Sequence, residues 1–313
     1  MSQLTEPYGA ADGLVRVYPA DAAAHVPPGS PASASPASAS PALASPVPAA
    51  PALVWAHGGG FAAGDLDMPE ADWVSRTLAA RGVTVVSVDY RLAVDDAGRY
   101  PAGSDDLLAA WAWTLEHADE LGIDSARIVV GGASAGANLV TGAVLRLLGH
   151  APAASGAVPA GVFLAYPTLL AVQPAPDAAL RALLDANPVA DRFGPTVVRA
   201  MYEAYLGRPI DGAPLTAEPG RAAASDLAGF PPVLMINGEA DELRVSGELF
   251  AATLVEAGVD TTCVTEPGTQ HGHLNRPGEP AASASIERVV RWIAGLAEPT
   301  HQTTLRTTEG ITS

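Results

Sequence analysis

The chain has 313 residues, of which 48% are hydrophobic, so it is long enough for one large α/β domain with a sizeable core. Its formal net charge is −17, and an acidic surface of that size argues against nucleic acid and anionic membrane as partners. The single cysteine, Cys263, excludes an intramolecular disulfide and a cysteine-rich metal site.

In chain order, the opening "MSQLTEPYGA" lacks a basic stretch followed by an apolar one, so no signal peptide is expected. No uninterrupted apolar window is long enough to span a bilayer, and the expectation is a cytoplasmic protein. Residues 13–20, "GLVRVYPA", alternate as an early strand. Residues 27–50 are almost wholly Pro, Ala and Ser; such a composition offers too little apolar bulk to order itself, and a disordered loop between two strands is expected.

From residue 51 strands and helices alternate. "ALVWAH" reads as a strand, "PEADWVSRTLAARG" as a helix ended by Gly82, and "VTVVSVDY" as a buried parallel strand. "SDDLLAAWAWTLEHADELG" is helical, "RIVVGG" is a strand, and a helix follows from about Gly136 to Leu148. "AGVFLAYP" and "PPVLMING" are further strands, then come the helix 247–258, the strand 261–268 and a closing helix 284–297. Repeated β-α units imply a mostly parallel, doubly wound sheet with right-handed crossovers, in a single domain spanning 1–313. Residues of about 171–225 break the rhythm with two helical pieces and no strand, and read as an insertion over the sheet. The polar tail, 299–313, is expected to be flexible. Cys263 lies in the "TTCVT" strand, where a buried structural thiol is the expectation.

The chemistry begins at Gly132-Ala133-Ser134-Ala135-Gly136, a G-x-S-x-G between a strand and a helix. A serine at such a turn exposes its hydroxyl at the carboxyl edge of the sheet, and small flanking residues let the turn close. The hydroxyl needs a base. In this arrangement an acid and then a histidine follow the serine in the chain. Asp241 comes just after the strand "PPVLMING", and His271 follows the next strand, so both share an edge with Ser134. Glu239, Glu242 and His273 are close alternatives that a solvated surface would also accommodate. His25, His117, His150 and His301 read as surface residues. His57 precedes three glycines, Gly58, Gly59 and Gly60, at the end of a strand. Bare backbone N–H groups there suit an oxyanion, and the expected donors are Gly58, Gly59 and Ala135, with His57 ordering the loop.

These blocks resemble the hormone-sensitive-lipase-like branch of α/β-hydrolase esterases. The resemblance runs through "HGGGF" at 57–61, "DYRLA" at 89–93, "YPA" at 100–102, "RIVVGGASAGANL" at 127–139, "YP" at 166–167, "GFPPVLMINGEADELR" at 229–244 and "HGHL" at 271–274. It implies an α/β-hydrolase fold with a small helical cap, and it carries the acid and base onto Asp241 and His271. Against the family's usual pattern, Ala133 stands where an Asp precedes the nucleophile and Ala137 where a second Gly follows it. "VDDAGR" replaces the short segment after "DYRLA", and Val245 and Ser246 replace acidic residues. Only about a dozen residues precede the first strand, so the family's long N-terminal cap is not expected and 171–225 is expected to form the cap largely alone.

The expected function is therefore a serine carboxylesterase acting on short- to medium-chain acyl esters through Ser134, His271 and Asp241, without metal or organic cofactor. Its expected partner is a small-molecule ester, and the oligomeric state is left open. The rivals are an amidase or formamidase with the same triad, and a non-catalytic ligand receptor on the same fold, which would be expected to lack a triad member.

Overall fold

The computed structural model describes residues 6–21, 24, 49–150, 157–296 and 306–307. Most of the 27–50 segment expected to be disordered lies outside the described residues.

Among the described residues nine strands form one sheet. In chain order they are β1 (Tyr8–Ala10), β2 (Val15–Tyr18), β3 (Ala50–Ala56), β4 (Thr84–Val88), β5 (Ile123–Ala133), β6 (Val162–Ala165), β7 (Val233–Ala240), β8 (Thr261–Gln270) and β9 (Arg306–Thr307). Their spatial order is β1-β2-β4-β3-β5-β6-β7-β8-β9. The first two strands run antiparallel, β2 against β4, and every later pairing is parallel. The three-residue β1 had no sequence signal beyond its aromatic. Within the segment 299–313, expected to be flexible, Arg306–Thr307 pairs with Thr262–Cys263, and its other residues lie outside the described ones.

Successive side chains on a strand point to opposite faces, and here both faces are apolar. On one face Val54, Val86, Ile128 and Val130 meet α2 (Ala102–Glu116), α3 (Ala135–Leu145) and α6 (Arg244–Glu256) through Leu107, Trp111, Leu139 and Phe250. On the other, Leu53, Trp55, Val129 and Phe163 meet α1 (Asp72–Ala79) and α7 (Pro280–Gly295) through Leu78, Ile286 and Val289. Burial on both sides explains why these strands read as continuous apolar runs rather than alternating ones.

The 171–225 segment holds α4 (Ala178–Ala186) and α5 (Pro195–Leu206) and no strand. Asp177 caps α4 by accepting the Leu180 N–H at 2.8 Å, and Gly207, at φ 68°, ends α5. Helix α5 is anchored from above the sheet. Tyr205 stacks on Phe61 with ring centroids 4.1 Å apart, and the Tyr202 hydroxyl donates to the Thr168 carbonyl at 3.0 Å. No described helix is long and apolar enough to cross a membrane.

Candidate active site

Four strands end at one edge of the sheet, and a residue of interest follows each of them: His57 after β3, Ser134 after β5, Asp241 after β7 and His271 after β8. Parallel strands make this convergence automatic, because every carboxyl end lies on the same side.

Ser134 sits at φ 52°, ψ −116°, outside the regions open to ordinary L-residues. The turn that holds it leaves no room for side chains on either side. A Cβ on Gly132 would lie 2.4 Å from the Gly136 backbone, and one on Gly136 would lie 2.3 Å from the carbonyl oxygens of Ala56 and His57. The G-x-S-x-G spacing is thus a steric requirement of this crossing.

The Ser134 hydroxyl is 2.9 Å from His271 Nε2. His271 Nδ1 is 2.7 Å from Asp241 Oδ2, and Asp241, fully buried, accepts the Leu243 N–H on Oδ1 at 3.0 Å. A carboxylate only accepts, so the imidazole carries its proton on Nδ1, and Nε2 is left to accept from Ser134. Such a relay can take the serine proton as the oxygen attacks an electrophile and return it later. Ser134 and His271 are 7% and 6% exposed, and both line a cavity of about 460 Å³. Its walls include Gly59, Gly60, Glu70, Arg192, Phe193 and Met201. Three of these come from the 171–225 segment, and the Phe193 ring meets His271 edge-on at 4.5 Å.

The close alternatives part company. His273 is fully buried on the far side of the loop, with Nε2 2.9 Å from the Ser285 hydroxyl. Glu239 accepts the Gly268 N–H at 2.9 Å, and Glu242 is buried, its carboxyl pushed up by desolvation and by nearby Asp191. His57 donates from Nδ1 to the Gly58 carbonyl at 2.7 Å and stacks on Tyr90 at 4.5 Å, ordering the loop as expected. The Cys263 thiol, beside Asn237, is pushed up to about 12 by burial.

The expectation for Gly58 is corrected. Its N–H already donates to Glu70 Oε1 at 2.6 Å, so it is not free to receive a developing oxyanion. Among the described residues no acceptor takes the N–H of Gly59 or Gly60, and both glycines line the cavity. Gly59 adopts φ 125°, and a Cβ there would lie 1.9 Å from the Ala63 carbonyl oxygen. Ala135 opens α3, where the first N–H groups have no partner within the helix. The sequence reading places Glu70 at the start of the helix "PEADWVSRTLAARG" and gives it no role; α1 begins at Asp72, and Glu70 lies in the turn before it.

Ala133 lies in the apolar cluster with Trp55, Phe163 and Tyr166 and is wholly buried. Arg91, the partner an acid there would need, is held in a two-pronged pair with Asp106 at 2.8 and 2.9 Å. Ala133→Asp is therefore expected to cost more than about 2 kcal/mol of stability, measured by denaturant unfolding. A loss under about 0.5 kcal/mol would show that a donor reaches this position.

A family described as having the α/β-hydrolase fold matches residues 53–275. The chain is 38% identical over 263 residues to carboxylesterase NlhH of Mycobacterium tuberculosis, covering 80% of this chain and 74% of that protein. It is 34% identical to an ethyl acetate hydrolase of Pseudomonas putida, over 71% of this chain and 66% of that one. Among solved structures, a bacterial heroin esterase superposes with a TM-score of 0.65 at 32% identity, covering 80% of this chain and 76% of that chain. The thermostable carboxylesterase EstE1, from a metagenomic library, superposes with a TM-score of 0.71 at 26% identity, over 96% and 92%.

Proposed function

This chain belongs to the α/β-hydrolase fold family, in its hormone-sensitive-lipase-like branch, and from that premise we propose that it is a serine carboxylesterase. The observation that carries the reading is the unbroken line from Asp241 through His271 to the Ser134 hydroxyl, 2.7 and 2.9 Å. In this reading Ser134 attacks the ester carbonyl while His271 takes its proton. The tetrahedral oxyanion is received by the N–H groups of Gly59, Gly60 and Ala135. His271 then protonates the departing alcohol, and the same relay activates the water that releases the acid. Loss of one oxyanion donor typically costs about 3–4 kcal/mol of transition-state stabilisation.

Hydrolysis of p-nitrophenyl acetate, set beside the corresponding anilide, tests the reading. Ester turnover with negligible anilide turnover supports it; the reverse preference points to an amidase, and inactivity on both points to a ligand receptor.

The cavity of about 460 Å³ lies in the lower part of the range for small-molecule sites. Its cap wall is supplied by Arg192, Phe193 and Met201, while the described strands of residues 8–18 join the sheet. A long acyl chain extends beyond this wall and gains little of the roughly 0.8 kcal/mol available per buried methylene. The highest kcat/KM is expected on acyl groups from acetyl to about hexanoyl. A series of p-nitrophenyl esters measures it; a maximum at dodecanoyl or longer would refute the small acyl site. The name of the ethyl acetate hydrolase relative is in keeping with a short acyl group.

A further inference from the structure

Glu70 is 1% exposed and borders the cavity beside Ser134. A carboxylate in that position must be well partnered, and three donors converge on it. The Gly58 N–H reaches Oε1 at 2.6 Å, Asn275 Nδ2 reaches Oε2 at 3.0 Å, and the Tyr166 hydroxyl also donates to Oε2. The Glu70 backbone is fixed as well: its N–H donates to Asn275 Oδ1 at 3.2 Å, and its carbonyl accepts the Trp55 indole N–H at 2.8 Å. These partners belong to three separate pieces of the site. Gly58 lies in the glycine loop, Tyr166 follows β6, and Asn275 ends the turn that carries His271. Tyr166 also stands edge-on to both His271 and His273, at 5.0 and 5.1 Å.

We propose that Glu70 is the positioning residue of the oxyanion hole. By holding the Gly58 N–H on the rear of the loop, it turns the next two N–H groups into the cavity. Through Tyr166 and Asn275 it sets their separation from His271. Gly58 has no side chain because Glu70 needs the space: a Cβ there would lie 2.7 Å from Oε1 and 3.1 Å from Ser134 Cβ. This role rests on the serine esterase reading.

The test compares Glu70→Met and Glu70→Gln with wild type, each counted by titration of the reactive serine with a fluorophosphonate. Methionine fills the space but accepts nothing, and kcat per titrated site on p-nitrophenyl acetate is expected to fall about 10²-fold, with KM changed less than about threefold. Affinity for a trifluoromethyl ketone, which mimics the tetrahedral adduct, is expected to fall in parallel. Glutamine keeps an acceptor for Gly58 and is expected to restore kcat to within about tenfold of wild type. A role confined to folding would lower the number of titrated sites and leave kcat per site alone. Should Glu70→Met not fold, Tyr166→Phe decides: it removes one of the two donors to Glu70 Oε2, leaving Asn275 Nδ2 there, and keeps the ring, and kcat is expected to drop roughly fivefold or more at constant KM. Unchanged kcat per site in the folded variant overturns the role of Glu70. A wild-type chain that neither takes up the fluorophosphonate nor cleaves the ester overturns the esterase reading itself.

Discussion

Ser134→Ala is expected to leave the fold intact and to slow p-nitrophenyl acetate hydrolysis by about 10⁴-fold or more. The hydroxyl oxygen is the one atom that His271 Nε2 addresses, at 2.9 Å, and no other nucleophile of the described residues shares that contact. What survives is the catalysis that oriented N–H groups and substrate binding supply to an attacking water, which is small but measurable. Alanine keeps the Cβ of serine, so the strained backbone is neither relieved nor worsened, and the melting temperature should hardly move. Circular dichroism and a stopped assay together measure both. A folded variant with near wild-type turnover ends the serine mechanism.

His271→Ala is expected to be comparably damaging, while His273→Ala costs far less activity per folded molecule. The two imidazoles are two residues apart but answer to different neighbours. His271 bridges Asp241 and Ser134. His273 faces Ser285, whose hydroxyl donates onward to Glu266 at 3.0 Å, so its Nε2 proton goes to Ser285 and ties the loop to α7. Burial, then Arg276 and His271, push the His273 pKa down to about 4, and the ring is neutral where an esterase works. The unfolded chain binds that proton near pH 6.5, so this group favours folding fully above that value and ceases to do so as pH falls towards about 4. Losing His273 is therefore expected to loosen a support, about a tenfold effect on kcat at most, whereas losing His271 removes the proposed base. The opposite ranking would assign the base to His273.

The strand-end positions of Ser134, Asp241 and His271 were legible because β-α alternation alone forces the carboxyl ends of parallel strands to one edge. The residue types completed the reading. The glycine run was legible as a backbone site but not in its register. Sequence cannot tell which of three successive N–H groups faces the cavity, and the answer at Gly58 depends on Glu70, twelve places along the chain and in contact only through the fold. His273 looked as solvated as any loop histidine because its partners, Ser285 and Glu266, come from a helix and a strand whose packing no local pattern reveals. The segment 171–225 stood out by its lack of a strand. Its attachment through Tyr202 and Tyr205 to the loop at Phe61 is a long-range aromatic contact with no periodic signature.

The backbone at Ser134 has a bearing on how such a chain would drift over generations. A non-glycine residue held at φ 52°, ψ −116° costs on the order of 1–3 kcal/mol, against a total stability of about 5–15 kcal/mol for a typical domain. Glycine would relieve most of that cost at once, and it is reachable from serine by a small change. A lineage using this pocket only to hold a ligand would have every reason to accept that exchange, since stability lost to one residue limits how many other destabilising mutations the chain can tolerate. Keeping serine there is worthwhile only while its hydroxyl is in use.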